Sequence, residues 1–114
     1  MKKIYDKLIR DNIPRILDNL KKSHSYRIAS KEEYPKYLKK KLQEEVDEFL
    51  ENPCIEELAD IAEVLEHLSL VVGATPGLLG QTMREKSLKK GKFLKGYILE
   101  SVGQNNEGKN QEKD

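Results

Sequence analysis

The sequence predicts an all-α fold: an antiparallel bundle of about four helices, built as a single domain over residues 1–100. Three observations carry this. Apolar residues recur at helical spacing through the middle of the chain. Each such stretch is preceded by a recognisable helix-start signal. The links between stretches are short, which favours helices packed as antiparallel neighbours.

The first helix starts at Asn12 and Pro14, with Ile13, Ile16, Leu17 and Leu20 on one face, and ends near Lys22. Residues 25–29 (SYRIA) read as an extended piece or a loop. Ser30 followed by Glu33 is a capping-box signature. It opens a long second helix to about Glu51, with Pro35 near its first turn as a kink or restart. Asn52-Pro53 opens a third helix to about Val72, which Gly73 ends. Thr75-Pro76 opens a fourth, stopping near Gly91. The short apolar stretch from Phe93 to Leu99 has no clear period. Residues 101–114 form a tail with no apolar residue from Gly103 onward, so it is expected to be disordered.

Composition excludes several classes. Of 114 residues, 21 are Lys or Arg and 20 are Asp or Glu, so the net charge of +1 leaves no general basic footprint for nucleic acid. The one cysteine, Cys54, rules out an internal disulfide and a cysteine-rich zinc site. The longest apolar run, Leu68 to Val72, is broken by Ser69 and is far too short to span a bilayer. No secretion core follows the N-terminus. A cytoplasmic protein without membrane or nucleic-acid partners is expected.

The informative feature is the placement of acids on the helical wheel. On helix two, Leu38, Leu42, Val46, Phe49 and Leu50 cover roughly 120°. Glu45 lies about 20° from that stripe and Glu48 about 60° further along the same flank. On helix three, apolar residues cover roughly 200°, and Glu57 and Asp60 fall among them, Glu57 between Val64 and Leu68. Each acidic pair is three residues apart, hence on one face, and an antiparallel hairpin lets the pairs meet. Four core-side carboxylates need compensation. Cations from a neighbouring helix could supply it. So could a hard divalent ion, with Mg²⁺ the usual choice beside phosphates and Mn²⁺ a substitute. Glu45, Glu48, Glu57 and Asp60 are the candidate metal ligands. His24, His67 and Cys54 show no partner pattern and are not assigned a role.

Glu44-Glu45-Val46-Asp47-Glu48 followed by Glu57-Leu58-Ala59-Asp60 resembles the EExxE…ExxD signature of the MazG-like all-α nucleoside triphosphate pyrophosphohydrolases. Residues 5–14 (YDKLIRDNIP) resemble the YxKLVRDKIP opening of the phosphoribosyl-ATP pyrophosphohydrolase-like branch. Residues 86–93 (KSLKKGKF) resemble its KxxKRGGF segment, with Lys90 and Lys92 in place of an arginine and a glycine. The resemblance spans about residues 4–100. It implies hydrolysis of a nucleoside triphosphate between the α- and β-phosphoryl groups, giving a monophosphate and pyrophosphate. It also implies a homodimer or homotetramer, which the wide apolar arc of helix three supports. Glu44 is then the candidate to orient or deprotonate water. Lys7 and Arg10, and the cluster Lys86, Lys89 and Lys90, are candidates for gripping phosphates.

Three rival readings remain open at this level. One is the histidine-pathway enzyme that acts on a phosphoribosyl nucleotide. Another is a nucleotide-binding module without catalysis. The last is an interaction protein whose acids pair with a partner's lysines.

Overall fold

The computed structural model describes residues 3–104. Those residues form four α-helices and no strand: α1 (Ile13–Asn19), α2 (Glu33–Glu51), α3 (Ile55–Val71) and α4 (Leu78–Lys90). Of the expected tail, residues 101–104 are irregular and exposed. The remainder, 105–114, lies outside the described residues.

The helix boundaries follow from local chemistry. α1 stops before Lys22 because Lys21 takes a left-handed φ of 57°. Its N–H then bonds Asp18 O at 2.9 Å and that of Lys22 bonds Leu17 O at 3.0 Å, a Schellman closure made without glycine. At the start of α2 the capping box forms. Glu33 N donates to Ser30 Oγ at 3.1 Å and Ser30 N donates to Glu33 Oε1 at 2.9 Å. Arg27 adds a two-pronged contact to Glu33 at 2.7 and 2.8 Å, tying the irregular segment before α2 to its first turn. Arg27 holds the Glu33 carboxyl down at a pKa of about 2, with the Ser30 N–H helping. Pro35 neither kinks nor restarts α2, which runs unbroken to Glu51, because a first-turn residue has no intrahelical N–H bond to lose.

Asn52 closes α2 instead of opening α3: its N–H bonds Glu48 O at 2.9 Å, and the extended Cys54 is the residue before α3. Gly73, at φ 92°, ends α3 as expected, with its N–H on Leu70 O and that of Ala74 on Ser69 O. α4 begins two residues after Pro76, behind left-handed Gly77, and ends at Gly91.

The three-residue link 52–54 folds α2 back on α3, and this hairpin is the main tertiary contact. Its centre holds Leu38 and Val64, which are 2% and 7% exposed. The expected stripe on α2 is only partly covered: Leu50, at the hairpin end, is open to solvent. α4 touches only the C-terminal half of α3, where Leu78, Leu79 and Thr82 form one wall of an apolar groove facing Leu65, Leu68 and Val72. The helices therefore do not close into a four-helix bundle within one chain. The radius of gyration is 19.8 Å, against ~13 Å for a compact chain of this length.

Candidate metal centre

The hairpin dictates which acids meet. Glu48 lies one turn before the end of α2 and Glu57 lies in the first turn of α3, so the two face each other across the link. Glu45 and Asp60, one turn further from the link on each helix, form the next layer. Glu45, Glu57 and Asp60 each offer an oxygen within 4.8 Å of the others, and so do Glu44, Glu45 and Glu48. Glu45 belongs to both groups and is the shared corner of the cluster. The two pairs expected from the wheel thus meet through Glu45, with Glu44 beside it, but Glu48 is exposed to solvent where a core-side position was expected, because it lies near the link end of the hairpin, which is open.

Burial distinguishes Glu45 from its neighbours. It is 5% exposed, and its Oε2 is buried with no hydrogen-bond partner among the described residues; Glu57 Oε2 shares that condition. A buried carboxylate oxygen without a donor costs several kcal/mol. Burial, and then repulsion from Glu48, push the Glu45 carboxyl above the usual carboxylate range. Burial and the facing Glu48 raise Glu57 too. For Glu44 burial also pushes upward, but the Lys7 hydrogen bond and Lys41 outweigh it and hold the group below that range.

Three cations ring the cluster. Lys7 Nζ is 3.1 Å from Glu44 Oε1. Arg10 Nη2 is 2.8 Å from Asp60 Oδ1, with its Nη1 3.8 Å from Glu63 Oε1. Lys41 Nζ lies 3.3 Å from Glu44 Oε1 and 3.5 Å from Glu45 Oε1. The segment before α1 is therefore pinned along the hairpin: Tyr37 Oη donates to Asp6 at 2.7 Å, then Lys7 reaches α2 and Arg10 crosses to α3. Lys7 and Arg10, expected to face phosphates, lean on the acids instead. Their nearest anions here are carboxylates.

Lys41 and Glu63 escaped the sequence reading. Lys41 had a signal, since it precedes Glu44 and Glu45 by three and four positions. Glu63 had none, because its contact with Arg10 exists only once the N-terminal segment crosses α3. Lys86, Lys89 and Lys90 occupy the last two turns of α4, whereas the α3 contact is made by its first two.

The donor set is all carboxylate oxygen, which suits a hard cation such as Mg²⁺ or Mn²⁺ over zinc or copper. The unpartnered oxygen of Glu45 fits such an ion, because Lys41 reaches only the other oxygen. No protein-family model, curated protein or solved structure matches this chain.

Proposed function

We propose that this chain is a Mg²⁺-dependent nucleoside triphosphate pyrophosphohydrolase of the MazG-like all-α type, releasing a nucleoside monophosphate and pyrophosphate. The observation that carries this reading is the buried Glu45 oxygen with no donor, set among Glu48, Glu57 and Asp60. These four residues would hold the ion, which when bound supplies neutralisation of phosphate charge and a more acidic water. Glu44 is ionised at neutral pH, held so by Lys7 and Lys41, and can accept the proton of the attacking water. Phosphoryl transfer needs in-line positioning and charge neutralisation more than a protein nucleophile. Lys7 and Arg10 are exposed enough, at 38% and 56%, to leave the acids for phosphate oxygens. The attacking water bonds to phosphorus as the anhydride oxygen leaves with pyrophosphate.

A screen of canonical, deoxy and damaged triphosphates, and phosphoribosyl-ATP, with and without Mg²⁺, tests the reading. Pyrophosphate release that depends on the metal is expected from at least one substrate. Mg²⁺ or Mn²⁺ alone is expected to raise Tm, since an ion bound only to the folded state stabilises it. Arg10→Ala is expected to change Tm little, because an exposed pair contributes under about 1 kcal/mol. The same change should raise KM roughly tenfold or more through the lost phosphate contact.

One observation favours a second reading. Lys7, Arg10 and Lys41 already offset part of the acid charge from within the chain. A hairpin clamped by these pairs alone would be a binding or interaction module. It would show no metal effect on Tm and no pyrophosphate release.

A further inference from the structure

The segment before α1 lies on the hairpin with little apolar cover. Ile4, Tyr5 and Ile9 remain 80%, 61% and 38% exposed, so packing of these side chains holds it weakly. Among the described residues, three side-chain hydrogen bonds tie it to the helices: Asp6 with Tyr37, Lys7 with Glu44 and Arg10 with Asp60. The looser Arg10–Glu63 pair, at 3.8 Å, is exposed on both sides and adds little. Two of the three hydrogen bonds end on the acid cluster. The third does not, since neither Asp6 nor Tyr37 belongs to either group of converging acids. Tyr37 lies seven positions before Glu44 on α2, which is two turns along the same face and ~10 Å along the axis.

Tyr37 is itself held from the other side. Arg27 Nη2 lies 3.4 Å from Tyr37 Oη, and the guanidinium stands over the Tyr37 ring at 5.9 Å. The Lys40 ammonium lies over the same ring at 5.3 Å. Arg27 is in turn fixed by Glu33, a member of the capping box. The hydroxyl therefore accepts from Arg27 and donates its one proton to Asp6 at 2.7 Å, a charge-assisted bond. That bond pushes the Tyr37 hydroxyl above its usual pKa, so it stays a donor through the neutral range.

We propose that Asp6 and Tyr37 are positioning residues: their hydrogen bond keeps Lys7 and Arg10 beside the acid cluster after both cations have left the carboxylates for phosphate oxygens. The inference rests on the nucleotide reading above. Lys7 and Arg10 can grip a triphosphate only by leaving Glu44 and Asp60, and that exchange undoes two of the three hydrogen bonds holding their segment. The Asp6–Tyr37 bond stands outside the exchange. Asp6 directly precedes Lys7, and Arg10 is four residues on, at most ~14 Å away at full extension. An anchored Asp6 thus confines both cations to the hairpin and keeps their local concentration high. The segment is ordered before substrate arrives, so binding does not have to order it.

Tyr37→Phe keeps the ring and the two-pronged Arg27–Glu33 contact, so its helical circular dichroism should match the parent. Calorimetry with inorganic triphosphate in Mg²⁺ should show affinity roughly tenfold weaker in Tyr37→Phe, the scale of one charge-assisted hydrogen bond. Asp6→Ala should match it. Asp6→Asn, which keeps an acceptor for the hydroxyl, should recover most of the loss. Arg10→Ala, expected to weaken triphosphate binding roughly tenfold in the parent, should cost less than ~threefold in the Tyr37→Phe background, since both act through one contact. Trypsin, which cuts after Lys7 and Arg10, should clip Tyr37→Phe at those sites at least ~fivefold faster than the parent in Mg²⁺. Equal clipping, or an unchanged triphosphate affinity in Tyr37→Phe, overturns the inference and leaves the nucleotide reading in place. So do additive losses for Tyr37→Phe and Arg10→Ala. A parent that neither gains Tm with Mg²⁺ nor binds triphosphate overturns that reading, and the inference with it.

Discussion

Asp60→Asn is expected to lower pyrophosphate release at least ~10³-fold while the helical circular dichroism stays that of the parent. Asparagine keeps the shape of the side chain and an oxygen that can accept the 2.8 Å hydrogen bond from Arg10. The fold therefore loses only one exposed ion pair, a change of under about 1 kcal/mol. What disappears is one negative charge on α3, in the group Asp60 forms with Glu57 of the same helix and Glu45 of α2. Glu48→Gln should behave alike from the α2 side. Full activity in either variant removes these residues from the metal set. A loss of activity together with lost helicity would instead assign them to the fold.

Glu45→Gln is expected to separate function from stability most sharply. In metal-free protein the change should raise Tm, because it deletes a buried charge that three cations only partly offset. About 1 kcal/mol corresponds to ~4–8 °C for a domain near this size. The same change should abolish the Tm rise given by Mg²⁺. The pH dependence carries the sign. Glu45 and Glu57 bind protons more tightly in the folded state than in the unfolded chain, since their folded values lie above the ordinary one. Their contribution to stability therefore falls as pH rises through the ordinary carboxylate value toward the raised folded values. Above that window the strain of the charged pair is fully present. Glu44 and Glu33 act oppositely: their stabilisation is complete above the ordinary carboxylate range and is lost as pH falls through their depressed values, about 2 for Glu33. Thermal melts of the parent and Glu45→Gln between pH 4 and 8 should converge toward the acid end and diverge toward neutrality. Parallel curves would show that Glu45 is not the strained group.

The readable features were those set within a few residues. The Ser30–Glu33 box, the stop at Gly73 and the end at Gly91 are local hydrogen-bond and dihedral problems with few solutions. The acid layers were legible for a related reason. Helical period fixes that Glu45 shares a face with Glu48, and Glu57 with Asp60, and a three-residue link leaves an antiparallel hairpin as the way to join them. The failures also have local causes. Pro35 reads as a kink or restart from its residue type, but at the first turn of α2 it has no intrahelical N–H bond to break and the helix runs through it. Asn52 read as the cap of α3 when its N–H was already committed to α2.

The sequence by itself determined that the chain is helical, where its longer helices lie, and which carboxylates share a face, because these depend on steps of three and four along the backbone. Only the tertiary structure decided that Arg10 reaches Asp60 across 50 positions, that Lys41 reaches one oxygen of Glu45 and leaves the other alone, and that Ile55 and Leu58 of α3 stay open to solvent. Such contacts depend on how an irregular segment drapes over a hairpin and on which flank a helix presents. Helical period constrains neither: it says which residues travel together, while burial is settled by what arrives from elsewhere to cover them.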